Sequence, residues 1–338
     1  MANAAAERES TEARARRPSL LFPSIVFLVA VGLLFASVDV HDLTRALASF
    51  PARLLPAVLL LSIGNYALRM VRWHLYLRQI GVRVPFSTSA TAFSAGLAMS
   101  VTPGKTGELV KAYGIGKLTG TPVLKVVSVI LMERVSDLCG VVLLAGVGLY
   151  REYPLPVAAL AGALVLGHTV LLVPPAGRLA FRLLHRLDGL STALGKAVHK
   201  LEEAYASLAS LARPGTMLMA TIVAVVSWGA EGLGLYLTVL GLGGAAKATL
   251  TSIVMIYATA TLLGAISPGG LVVTEATMTT LLVGAGMPLA AAVVATTICR
   301  IATLWFAVAF GCVVLFWIWP RLLRQADRNA AIPGVSAA

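Results

Sequence analysis

Residues 100–114 read SVTPGKTGELVKAYG, and the nature of this stretch decides the fold. Gly104-Lys105-Thr106 looks like the end of a nucleotide-binding loop. Such a loop needs another glycine five positions before Gly104, and that position is Met99. It also follows a strand in a soluble βαβ unit, and nothing around it has that pattern. Pro103 and Gly104 read instead as a break in a helix, because proline removes a backbone donor and clashes with the preceding turn. Free N–H groups at the next helix start, with Lys105 beside them, favour an anion. Glu108 then stands in the first turn of the second half-helix, where an acid suits the dipole. It serves either as a cap or in coupling or gating.

The surroundings make this break unusual. Of the 338 residues 58% are hydrophobic and 12% charged, where a soluble domain carries roughly a quarter charged residues. The apolar residues come in runs of about twenty, the length of a membrane-spanning helix. The expected fold is therefore an all-α polytopic membrane protein. Six full spans are expected, at about 20–38, 54–71, 123–149, 155–173, 216–240 and 288–318. Two further apolar stretches, about 86–113 and 248–284, are interrupted by Pro-Gly. Each is expected to re-enter the membrane as a hairpin, which is tolerated where protein or a water-filled cavity satisfies the freed backbone. The alternative is a pair of short spans at each.

The net charge of +12 does not indicate nucleic acid, because the basic residues fall between apolar runs. With both termini in the cytoplasm, only Arg45, Arg53, Arg151 and Lys247 lie outside, and Arg134 and Arg300 lie within spans. That asymmetry follows the positive-inside rule. In this scheme Arg69, Arg72, Trp73 and Arg78 stand at a cytoplasmic helix end, as interface anchors or as a docking point for lipid phosphate. The expected organisation is a disordered tail (1–19), a first membrane half (20–173), a cytoplasmic amphipathic connector (174–215), a second half (216–320) and a tail (321–338). Cys139, Cys299 and Cys312 lie in apolar runs and form no disulfide or metal pattern. No cofactor or metal is expected.

The two halves answer each other. Leu75-Tyr76-Leu77 precedes Gly81 as Leu235-Tyr236-Leu237 precedes Gly241. Pro103-Gly104 is matched by Pro268-Gly269-Gly270, Glu108 by Glu275, and Arg134 by Arg300. The first broken stretch starts from the cytoplasm and the second from outside, so the repeat is inverted. Inverted repeats with broken helices are a transporter architecture whose binding site lies near the midplane. At ~1.5 Å per residue both arginines lie roughly 17 Å deep in their spans.

An arginine there costs at least ~2.5 kcal/mol on a lipid-facing helix, so it needs a partner or water. Arg134 has Glu133 and Asp137 nearby in MERVSD. Arg300 has no acid beside it, so Glu275, Glu231 or the substrate must supply one, and it ranks first as a ligand contact. The expected substrate-binding set is Arg134, Arg300, Lys105, Gly104, Gly269, Gly270 and Arg72. Glu108, Glu275, Glu231, Asp137 and Glu133 are expected in coupling or gating, with Pro103 and Pro268 as the helix breaks.

At these residues the chain resembles the lysylphosphatidylglycerol synthase transmembrane region, a family of flippase-like membrane proteins. RMVRWHLYLRQIG, TPGKTGELVKAY, ERVSD and SPGGLVVTEATM followed by Cys299-Arg300 carry the resemblance. It implies movement of lipid between leaflets. In multiple peptide resistance factors the lipid is aminoacylated phosphatidylglycerol, and a separate soluble domain performs the synthesis. The chain ends about twenty residues after its last span, so synthase activity is not expected. Stand-alone relatives are associated with hopanoids and glycolipids.

The expected function is a lipid flippase or scramblase of a bacterial inner membrane. Its partners would be membrane lipids: an anionic phospholipid, glycolipid, hopanoid or polyprenyl-phosphate lipid, bound in a cationic cavity. An ion-coupled transporter of a small anion is the second reading. A membrane transferase is the third, against which stands the lack of a D-x-D motif.

Overall fold

The computed structural model describes residues 32, 38–102, 108–149, 154–187, 192–244, 248–265, 267 and 270–330. The expected first span and amino-terminal tail fall almost wholly outside these residues. So do Pro103, Gly104, Lys105, Pro268 and Gly269, and the last eight residues of the carboxyl-terminal tail.

All regular structure among the described residues is helical. Helix α1 (Val40–Ser49) is capped by Asp39, which accepts from the backbone N–H of His41 at 2.8 Å. Helix α2 spans Leu55–Gln79, α3 Phe86–Leu97, α4 Leu109–Thr119, α5 Val123–Leu149 and α6 Pro154–Leu172. The connector forms α7 (Pro174–Leu184) and α8 (Thr192–Leu211). Then follow α9 (Pro214–Gly241), α10 (Leu250–Gly264) and α11 (Val273–Gly284). The last helical run comprises α12 (Leu289–Arg300), a π segment (Ile301–Trp305), α13 (Phe306–Val313), a second π segment (Val314–Ile318) and α14 (Trp319–Ala330). A reciprocal capping box starts α10: Ser252 N donates to Thr249 Oγ1 at 3.1 Å and Thr249 N donates to Ser252 Oγ at 3.0 Å.

Among the described residues, three helices, Ala52–Gln79, Pro214–Gly241 and Leu289–Arg324, are long and apolar enough to cross a membrane. Helix α5 has comparable length but carries Glu133, Arg134 and Asp137 at its middle.

The helices are amphipathic in the sense opposite to a soluble protein. On α2 the buried face runs Val58, Ser62, Asn65, Arg69, Arg72 and Tyr76, at alternating four- and three-residue steps. Leu60 and Ile63 are exposed on the same helix. On α9, Leu218, Ile222 and Val226 form an exposed stripe, while Ser227, Glu231 and Thr238 are buried. Apolar side chains outside and polar ones inside suit a lipid solvent, which cannot hydrogen-bond a stranded polar group.

This overturns one expectation. The second span was expected to end near residue 71, with Arg69 and Arg72 at the cytoplasmic interface. The helix continues to Gln79, and both arginines point into the bundle, 7% and 0% exposed. An anchoring role needs contact with headgroups, which this burial denies them.

The packing is reciprocal. Helices α2 and α9 lie side by side at the centre. Helix α10 packs on α5, and α3 packs on α13. Helix α9 touches α5, and α2 touches the π segment after α12. Each interrupted pair, α3–α4 or α10–α11, thus leans on the long helix of the other half. Gly311 makes the α3–α13 contact possible: a Cβ there would sit 2.2 Å from the backbone nitrogen of Ala98. Small residues at such crossings let membrane helices approach closely.

Candidate functional site

Described residues beside both interruptions border one cavity of about 380 Å³. Ser100 borders it from the first break, and Ser267 and Gly270 from the second. Gly270 has φ +72°, a left-handed conformation open to glycine without steric cost. The next turn is stranger. Val272 has φ 70° and ψ −57°, and Val273 N donates to Leu271 O at 2.9 Å. These values describe a γ-turn of the rare, strained kind, centred on a β-branched residue immediately before α11.

Arg134 and Arg300, one from each half, both line the cavity, with Glu108, Asp137, Glu231 and Arg69. Their pairing follows the sequence correspondence. Arg134 Nη2 donates to Glu108 Oε2 at 3.2 Å, and Arg300 Nε donates to Glu275 Oε1 at 2.5 Å. In each case the acid belongs to the helix after the break and the arginine to the following long helix. The differing distances of Glu108 and Glu275 from their prolines therefore do not prevent equivalent ion pairs.

Around Arg134 the first half builds a network. Asp137 accepts from Arg72 Nη2 at 2.6 Å and Arg69 Nη2 at 3.3 Å, and lies 3.7 Å from Arg134 Nη2. Lys111 Nζ reaches Glu133 Oε2 at 2.5 Å and Glu108 Oε2 at 3.4 Å. It also sits 4.5 Å from the ring centre of Trp73 and 5.2 Å from that of Phe93, close enough for cation–π attraction. Charges this deep persist because each finds an opposite charge. Glu133, fully buried, and Arg72 stand behind the lining and hold it. Arg72 was expected to bind substrate; its guanidinium is turned to Asp137.

The second half is sparser. Tyr257 donates its hydroxyl to Glu231, and both line the cavity with Arg300. Tyr66 of α2 donates to the carbonyl of Thr303 at 2.7 Å. Thr303 lies in the π segment that follows Arg300. Such segments recur at functional sites because they widen the helix and re-aim its carbonyls.

The expectation of a cationic cavity included Lys105, which lies outside the described residues. Among the described residues, Arg69, Arg134 and Arg300 face the cavity with Glu108, Asp137 and Glu231, so its lining is formally balanced. With the buried charges behind the lining added, the balance is uneven. In the first half Arg69, Arg72, Lys111 and Arg134 outnumber Glu108, Glu133 and Asp137 by one; in the second Glu231 and Glu275 outnumber Arg300 by one.

Sequence reasoning missed Arg69, Trp228 and Tyr257 as lining residues. The polar face of α2 carried a usable signal, since Ser62, Asn65, Arg69, Arg72 and Tyr76 fall on one side of a helix. Trp228 and Tyr257 carried none, because an aromatic residue in a span reads equally well as a lipid contact.

The sequence model of one protein family, described as the lysylphosphatidylglycerol synthase TM region, matches residues 20–311. No curated protein matches the chain.

Proposed function

The chain belongs to the lysylphosphatidylglycerol synthase TM-region family, which ties it to membranes and their lipids, and on that premise we propose that it moves a lipid headgroup between leaflets. The headgroup would cross through the cavity while the acyl or isoprenoid tails stay in the bilayer. One observation carries this reading: buried charges and helix breaks from both halves converge on a single cavity. In this reading the chain is a transporter and not a transferase, placed in a bacterial inner membrane with both termini in the cytoplasm.

The reading includes an inverted repeat. Helices α2 to α5 would correspond to α9 to α13, with α3–α4 and α10–α11 as re-entrant hairpins from opposite sides. The reciprocal packing and the paired Glu108–Arg134 and Glu275–Arg300 contacts support it. Rocking of the two halves about the central α2–α9 pair would expose the cavity to each leaflet in turn.

The purified protein in liposomes containing labelled phosphatidylglycerol, a labelled glycolipid or a labelled polyprenyl phosphate tests the function. Movement faster than in protein-free liposomes for at least one of them is expected. No acceleration for any of the three overturns the proposal for these classes.

A further inference from the structure

Arg69 Nε on α2, Arg134 Nε on α5 and Trp228 Nε1 on α9 are buried nitrogens with no hydrogen-bond partner among the described residues. All three residues line the cavity. Burying a donor unpaired costs about 1–3 kcal/mol, so three in one wall mark a place where a ligand completes the structure. The side chains are already fixed by their other atoms. Arg69 holds Asp137 through Nη2, and Arg134 holds Glu108 through Nη2. The guanidinium of Arg69 lies 5.3 Å from the ring centre of Trp228.

We propose that Arg69, Arg134 and Trp228 form a phosphate-oxygen subsite, so that the phosphodiester of the lipid headgroup lies where α2, α5 and α9 border the cavity and not against Arg300. This rests on the lipid-headgroup reading above and specifies where its anion sits. Three N–H donors, two of them on cations, suit an oxyanion. Arg300 is a poorer ligand because Glu275 already takes its Nε. Glu231, three residues after Trp228 on α9, and Tyr257, which donates to it, face the part of the headgroup beyond the phosphate.

The test is equilibrium binding of dihexanoyl phosphatidylglycerol to the full-length protein in maltoside micelles. Dihexanoyl glycerol, which lacks the phosphate, and inorganic phosphate are parallel probes. The native protein is expected to bind the phosphatidylglycerol and not the glycerol. Trp228→Phe keeps the ring beneath Arg69 and removes only the N–H. It should weaken binding about tenfold, the effect of losing one hydrogen bond to a charged acceptor. Arg69→Lys should weaken it at least as much; should it fail to fold, Trp228→Phe decides alone.

Unchanged affinity in Trp228→Phe, or no phosphatidylglycerol binding at all, overturns the subsite. Binding of inorganic phosphate alone overturns its assignment to a lipid. Native protein that binds through Trp228 yet moves no lipid in liposomes leaves the subsite standing and removes the transport reading. Lipid movement with Trp228→Phe indistinguishable from native in both assays does the reverse.

Discussion

Arg300 Nε lies 2.5 Å from Glu275 Oε1, joining the helix after the second break to the end of α12, where the π segment begins. The pair is almost wholly buried, with side chains 10% and 2% exposed. Its position repeats that of Arg134 and Glu108.

Removing one member of such a pair strands the other. Arg300→Ala is expected to destabilise the fold by about 3–5 kcal/mol, because it leaves the Glu275 carboxylate unpaired. Combining it with Glu275→Ala should recover much of that loss. Thermal unfolding of the single and double variants in detergent, analysed as a cycle, measures the coupling. Additive losses would show that the two side chains do not act as a pair.

Asp137 holds two buried arginines at once. Asp137→Asn keeps the shape but removes the charge that Arg69 and Arg72 share. A loss of at least about 3 kcal/mol is expected, since two buried cations lose their common partner. Folded yield after size-exclusion chromatography and the unfolding temperature both report it. Native-like behaviour would place the neutralising charge elsewhere.

Gly311 faces backbone, not a movable side chain. Gly311→Val would force α13 away from α3, because its Cβ meets Ala98 N at 2.2 Å and Leu97 C at 2.8 Å. Overpacking costs about 1–3 kcal/mol even where neighbours can shift, so a loss at or above that range is expected. Gly311→Ala should lie between native and Val in unfolding temperature; equality of all three would contradict the close approach.

Val272 stores conformational strain next to the cavity. Replacement by glycine allows the positive φ without a Cβ, and strained backbone of this kind costs about 1–3 kcal/mol. Val272→Gly is expected to be as stable as the native protein or more so, despite glycine's greater entropy when unfolded. Val272→Ile should not gain. If the strain is used in transport, the relaxed variant will move lipid more slowly in liposomes while unfolding at the same or a higher temperature.

Much of this was readable beforehand. The helix bounds 123–149, 155–173 and 216–240 differ little from α5, α6 and α9, because uninterrupted apolar runs have only one way to satisfy their backbone in lipid. The need of Arg134 and Arg300 for partners also came from sequence, since a charge inside an apolar run is unexplained until something pairs with it, and Glu108 and Glu275 do so. Arg69 and Arg72 were misread because positive residues at the end of an apolar run have the same appearance whether they meet headgroups or a buried carboxylate. Their partner, Asp137, is more than sixty residues away, and one-dimensional patterning does not record such distances. The γ-turn at Val272 left no periodic trace.

The span between Arg72 and Asp137 has a consequence for biosynthesis. When Arg72 of α2 is added to the growing chain, the acid that neutralises it is still sixty-five positions from being translated. Releasing that segment into hydrocarbon would cost about 2.5–3.5 kcal/mol for each arginine. The insertion machinery must therefore retain it, or shelter it in water, until α5 arrives, and the order of synthesis becomes part of how this protein assembles.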